Sequence, residues 1–194
     1  CNPHPSRLKG IALLNTDDID GGVKELERAA NMGLSGGMVA LRTKSLAYNH
    51  PDYDRFWAAA QDLDMPISLH TGCLRVTQGS AFDILNQSAP EEFTNHEYHA
   101  RNAIAQIVFS GVFERYPKLK IGAIEFEILW APYFMGRMDN TYRERTPGKE
   151  ITRFKGDAMP SDFFRSNVFI SFQEDPLGIR LRSEVGVDNL CWGS

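Results

Sequence analysis

The sequence predicts an α/β fold: a (β/α)8 TIM barrel, incomplete, with about six βα units in one domain spanning residues 1–194. Three observations lead there. Short apolar segments alternate with segments of helical periodicity along the whole chain. Two of those segments end on a side chain able to bind metal, His70 and Glu125, and the C-terminal end of a strand is where βα-repeat proteins keep their chemistry. Within the strands, one face is small or polar and the other mostly larger and apolar. Ser68 and His70 oppose Ile67 and Leu69; Ala123 and Glu125 oppose Gly122, Ile124 and Phe126; Cys191 and Gly193 oppose Leu190 and Trp192. A closed barrel with helices outside suits that asymmetry, whereas an open sheet covered by helices is apolar on both faces. The last segment starts at Leu190 and stops at Ser194, so the first strands and the end of the last unit are expected to be missing.

The elements follow in order. Residues 8–14 form a nearly unbroken apolar run and read as a strand. Asp17, Asp18 and Asp20 supply N-cap chemistry to a helix with Val23, Leu26 and Ala30 on one face, and Gly33 suits the position just past its end. A strand over 36–41 and a polar loop over 42–52 precede a helix over 53–63, with Phe56, Ala59, Ala60 and Leu63 together. Met65 and Pro66 punctuate the chain before a strand over 67–70. The connection over 71–98 is long enough for a functional loop or locally ordered lid. One helix is expected over 99–115, with Ile104, Ile107, Val108, Gly111 and Val112 at helical spacing, stopped by Tyr116 and Pro117. A strand over 120–125, a helix over 130–144 and an exposed loop over 145–160 come next. A strand over 168–172, a short helix over 177–185 with Leu177, Leu181 and Val185 stacked, and the strand from Leu190 complete the reading.

With 42% hydrophobic and 24% charged residues, the composition is that of an ordinary soluble globular protein. A formal net charge of -4 and the lack of a basic run argue against nucleic acid or an anionic membrane as partner. No apolar stretch is long enough to span a bilayer, and no signal peptide is visible. Cys1, Cys73 and Cys191 are odd in number and lack CxxC spacing, which points to a reducing, cytoplasmic setting.

His70 is the strongest candidate metal ligand, since it ends a strand, shares a face with Ser68 and precedes the Thr71-Gly72 turn. Glu125 should point at the barrel mouth, because Ala123 beneath it would point inward; Glu127 lies past the strand and is the weaker acid. Arg137, on the following helix, could bind a substrate carboxylate bidentately, against the plainer reading of an ion pair with Asp139 or Glu144 or simple exposure. His96 and His99 read as exposed histidines, Cys73 as a spectator, Cys191 as an inward core residue, and Trp57, Trp130 and Trp192 as packing. No P-loop, GxGxxG, GxSxG or HExxH is present, which weakens nucleotide, α/β-hydrolase and zincin readings.

Four stretches carry a specific resemblance: Ile-Ser-Leu-His-Thr-Gly at 67–72, Ser-Gly-Val-Phe-Glu-Arg-Tyr-Pro-Lys-Leu-Lys at 110–120, Trp-Ala-Pro-Tyr-Phe-Met-Gly-Arg-Met-Asp at 130–139, and Leu-Cys-Trp-Gly-Ser at 190–194. Together they resemble the amidohydrolase-related (amidohydrolase 2) family, which contains the aminocarboxymuconate-semialdehyde decarboxylase-like enzymes. The resemblance implies a distorted barrel with one divalent metal ion, zinc being the expected one. It implies His70 as the metal ligand of the family's fifth strand. Glu125 takes the sixth-strand position where the family usually has a catalytic His, and Arg137 takes the place of an arginine that reaches substrate, sometimes across a homodimer. The first-strand ligand motif and the final-strand Asp would lie outside this chain. The implied function is a decarboxylase (carboxy-lyase) or hydrolase acting on small carboxylated aromatic or ring-derived compounds. The alternative is a catalytically degenerate barrel serving as a binding or scaffold subunit.

Overall fold

A computed structural model of the chain describes residues 4–41, 43, 46–70, 90–144 and 154–193. Among them six strands form one parallel sheet in sequential order: β1 (Ala12–Leu13), β2 (Gly37–Ala40), β3 (Ile67–His70), β4 (Ile121–Ile124), β5 (Val168–Phe172) and β6 (Leu190–Trp192). Between them run α1 (Ile19–Asn31), α2 (Asp54–Asp62), α3 (Pro90–Thr94), α4 (Glu97–Phe109), α5 (Val112–Arg115), α6 (Trp130–Glu144), α7 (Pro160–Asn167), α8 (Pro176–Arg180) and α9 (Arg182–Val185). Each strand pairs with the next in the chain, the arrangement of consecutive units of a βα barrel. β1 and β6 form the open edges.

The register sorts the side chains into two layers. Val39, Leu69, Ala123 and Ile170 lie side by side across β2 to β5, as do Gly37, Ile67, Ile121 and Val168. The seven apolar side chains of this set are 0–1% exposed, sealed beneath the helices. Burying each of the larger ones contributes roughly 1.5–3 kcal/mol. The opposite face carries Met38 and Ala40, Ser68 and His70, Gly122 and Ile124, Phe169 and Ser171, then Cys191. This is the barrel interior. A Cβ at Gly122 would sit 2.4 Å from the Phe169 ring, so the absent side chain makes room for a phenylalanine that floors the interior.

α1 shows how local sequence sets an element. The Asp18 carboxylate accepts a hydrogen bond from Gly21 N, and past the helix end Gly33 takes φ 80°. Its buried stripe holds Leu26 and Ala29 at full burial, while Val23 and Ala30 pack at the margin. Beside it, α2 buries Phe56, Trp57 and Ala60.

Several expectations are corrected. On β4 the inward residues are Gly122 and Ile124, not Ala123, because Ala123 pairs with Leu69 on the helix side. The helix expected over 99–115 is two helices, α4 and α5, broken where Gly111 adopts φ 72°. Helix α7 occupies residues assigned to no element, and Phe154, in the stretch expected to be exposed, is buried and stacked on Tyr142 at 4.8 Å. The helix over 177–185 is the pair α8 and α9, with Leu177 and Leu181 exposed and only Val185 buried. The first strand is two residues rather than seven, with Leu8, Ile11 and Leu13 about half-exposed or more at an unpaired edge. Cys191 and Trp192 are exposed on β6, the other edge, so neither is core. Cys73, most of the 71–98 connection and residues 145–153 lie outside the described residues. Among the described residues, no helix is long and apolar enough to cross a membrane.

Candidate active site

His70 closes β3 at its C-terminal end, between Ala40 of β2 and Ile124 of β4, with its ring on the interior face above Ser68. Its Nε2 lies 3.0 Å from Glu125 Oε2. The two side chains are 23% and 29% exposed, so the pair is sheltered yet open to a small molecule at the mouth. The sequence singled out both residues, and the structure brings them into contact.

Glu125 reaches this position by a route that alternation does not foresee. Regular strand geometry after Ile124 would turn it toward the helices, with Ala123. Instead its backbone enters the left-handed region, φ 64°, and Glu127 repeats this at φ 60°. Such a conformation costs a non-glycine residue on the order of 1–3 kcal/mol, and it persists where surrounding bonds over-determine it. Those bonds are present. Ser171, inward on β5, accepts from the Glu125 amide at 2.8 Å. His96 Nε2 meets the Glu125 carbonyl at 2.9 Å. Two residues on, the Glu127 carboxylate accepts from the amides of Gln173 and Glu174 at 3.2 and 3.3 Å. Asp175 Oδ2 accepts from Ile128 and Leu129 amides, each at 2.7 Å, and the indole of Trp130 donates to the carbonyls of Phe126 and Glu127. The loop after β4 is therefore strapped to the loop after β5.

His96 is not the exposed histidine expected. Its ring lies 5.1 Å from both Phe93 and Phe126, and its Nδ1 is 2.6 Å from the Phe93 carbonyl. Both ring nitrogens thus face carbonyl oxygens; a neutral imidazole donates to one at a time, a doubly protonated ring to both. His99 lies against Tyr98, with ring centroids 5.3 Å apart. Glu127 is committed to holding its neighbours' backbone and has a structural part. Arg137 is exposed on α6 and makes no ion pair with Asp139 or Glu144; Asp139 instead accepts from the Ser161 amide at 2.9 Å. The structure brings Arg137 into no hydrogen bond with His70 or Glu125.

Ser171 and Asp175 are not among the candidates the sequence offers, and His96 is offered only as an exposed histidine. Ser171 was within reach, since alternation along 168–172 puts it on the interior face. Asp175 stands before Pro176 and three residues before Gly178, a helix-start pattern, and its Oδ1 accepts from the Gly178 amide at 2.7 Å. His96 carries no local signal, for its partner at Glu125 lies across a gap in sequence that only the fold closes.

As a metal centre, the described residues fit in part. His70 offers an imidazole fixed on a rigid strand end, a donor suited to zinc or manganese. Among the described residues, no group of three His, Cys, Asp or Glu side chains comes together to hold an ion.

Comparisons with known proteins place these features in context. The family model for the amidohydrolases matches residues 1–194. A gamma-resorcylate decarboxylase from Polaromonas sp. is 26% identical over 203 residues, covering 98% of this chain and 60% of its own. One from Rhizobium sp. is 25% identical over 207 residues, covering 100% of this chain and 61% of its own. The crystal structure of 5-carboxyvanillate decarboxylase from Sphingomonas paucimobilis superposes with a TM-score of 0.80 at 21% identity, over 99% of this chain and 57% of that one. A dihydroxybenzoic acid decarboxylase from Polaromonas sp., solved with bound manganese and 2-nitroresorcinol, superposes with a TM-score of 0.70 at 24% identity, over 99% and 59%. The chain spans about 60% of the length of the curated relatives it matches.

Proposed function

This chain belongs to the amidohydrolase family, and on that footing we propose that it is the greater part of a metal-dependent decarboxylase acting on small carboxylated aromatic compounds. The observation that carries the reading is the His70–Glu125 pair, 3.0 Å apart at the C-terminal mouth of the strands. Relatives that are gamma-resorcylate decarboxylases support the choice of carboxy-lyase over hydrolase.

In the reaction, the bond between ring and carboxylate breaks, CO₂ leaves, and a proton takes its place on the ring carbon. The electron pair of the broken bond ends in the new C–H bond. Glu125 Oε2 holds or moves a proton shared with His70 Nε2, which sets the proton balance beside the substrate. A divalent ion, held in part by His70 and otherwise by donors outside the described residues, would stabilise the charge that develops as CO₂ departs. Zinc follows from the resemblance, and manganese from the Polaromonas relative. Arg137, exposed on α6, serves a substrate carboxylate in a neighbouring subunit of a homodimer. Cysteine usage supports a cytoplasmic setting.

The test is incubation of the protein with 2,6-dihydroxybenzoate and with 5-carboxyvanillate, each with Zn²⁺ or Mn²⁺, following CO₂ and the phenolic product. Metal-dependent CO₂ release is expected, and Glu125→Gln should lower its rate about 10²-fold with metal retained, as for lost acid–base help. Hydrolysis of an ester, lactone or amide without CO₂ would transfer the site to the hydrolases. Absence of both turnover and bound metal would favour the scaffold alternative.

A further inference from the structure

We infer that Ser171 and His96 are positioning residues that hold the backbone of Glu125 in its left-handed conformation and so aim its carboxylate at His70. The inference rests on the role proposed for Glu125.

Ile121 to Ile124 alternate regularly, and continued alternation would bury the Glu125 carboxylate among the helices. The inversion of φ to 64° at Glu125 is what turns the side chain toward His70. A left-handed glutamate is not self-sustaining, so the two sides of its Cα need partners that reward this geometry over the extended one. On the N-terminal side the Ser171 hydroxyl, from β5 and 4% exposed, accepts the amide hydrogen at 2.8 Å. On the C-terminal side His96 Nε2 meets the carbonyl at 2.9 Å. Both hydrogen bonds go to the Glu125 main chain, so each residue acts on the carboxylate through the backbone.

The two anchors come from different places. Ser171 stands on the neighbouring strand, inside the barrel, and is as rigid as the sheet. His96 stands between α3 and α4, where Phe93 stacks on one side of its ring and Phe126 lies tilted against it, with the Phe93 carbonyl at Nδ1. Phe126 is the residue after Glu125, so the stack and the hydrogen bond fix the same peptide.

The experiment measures kcat and KM of the full enzyme for CO₂ release from 2,6-dihydroxybenzoate in Ser171→Ala, Ser171→Thr and His96→Phe, each alone and combined with Glu125→Gln. His96→Phe keeps an aromatic ring between Phe93 and Phe126 and removes both ring nitrogens, with their contacts to the Glu125 and Phe93 carbonyls; Ser171→Thr keeps the hydroxyl. Ser171→Ala and His96→Phe should each lower kcat about tenfold with KM within about twofold, the signature of an interaction felt at the reacting group. Ser171→Thr should restore most of the loss. Neither change should lower kcat further in the Glu125→Gln background, because both act through that carboxylate. As a readout independent of turnover, the Glu125 amide resonance and its φ-dependent coupling should shift in Ser171→Ala and His96→Phe. Unchanged kcat and an unchanged Glu125 signal in both variants, with Glu125→Gln still impaired, would overturn the inference and leave the role of Glu125 standing. Full additivity with Glu125→Gln would also overturn it, as would loss of KM and kcat together without Thr rescue. If Glu125→Gln matches the wild type, the proposed function falls first and this inference with it.

Discussion

Replacing Asp175 by alanine should destabilise the protein well beyond an ordinary surface change. Asp175 is 9% exposed, and its carboxylate accepts three backbone hydrogen bonds of 2.7 Å, from Ile128, Leu129 and Gly178. A hydrogen bond to a charged group contributes roughly 1.5–3 kcal/mol net, and leaving its buried partner unpaired exacts a similar cost. Water entering the vacated space would restore part of this, so the expected total is about 3–5 kcal/mol rather than the full sum of three. In a domain of this size, 1 kcal/mol moves the midpoint by about 2–4 °C, so Asp175→Ala should melt about 10 °C lower. Asp175→Asn should fall between, since its amide NH₂ would confront a backbone N–H where an oxygen now accepts. Thermal melts followed by circular dichroism, with urea titrations to confirm the free-energy change, would measure both. A shift of less than about 2 °C in Asp175→Ala would refute the view that this carboxylate ties the loops after β4 and β5 together.

Other outcomes follow from the same geometry. Trp57 is fully buried with its indole Nε1 unpartnered among the described residues, so Trp57→Phe should cost less than about 1.5 kcal/mol while Trp57→Ala costs about 3–5 kcal/mol by the same melts. Arg137→Lys should raise KM for acidic substrates severalfold while leaving kcat and the melting temperature unchanged; an unchanged KM would leave Arg137 a solvated surface cation. The 194-residue chain expressed alone should self-associate, because among the described residues β1 and β6 present unpaired edges with Leu13 67% and Trp192 71% exposed; a monodisperse monomer in sedimentation would contradict this.

The regular parts of the fold were legible because they obey period and punctuation. β3, β5 and α6 begin and end where the apolar pattern places them, with Pro66 marking the start of β3. The departures have physical causes outside such patterns. Gly111 sits at helical spacing yet takes the one backbone conformation that ends α4, a choice that packing makes rather than periodicity. α7 was lost in a polar stretch whose start signal, Asp162 accepting from the Met159 amide, sits three residues into it. Glu125 faces His70 although the alternation that predicts it fails. Alternation was carried one residue past the strand, and the inversion of φ compensated for the wrong face at Ala123. Ser171, His96 and Asp175 act at contacts spanning from 3 to 47 residues, most beyond the reach of any local pattern.

The central claim is that His70 binds a divalent ion while Glu125 works beside it without being needed to hold it. The most direct measurement is the metal-to-protein ratio, by elemental analysis, of the full enzyme as wild type, His70→Ala and Glu125→Gln after the same purification. About one divalent ion per chain is expected in wild type and Glu125→Gln, and a large loss in His70→Ala, since a catalytic site usually draws on three protein ligands and cannot spare one. Wild-type metal content in His70→Ala would contradict it.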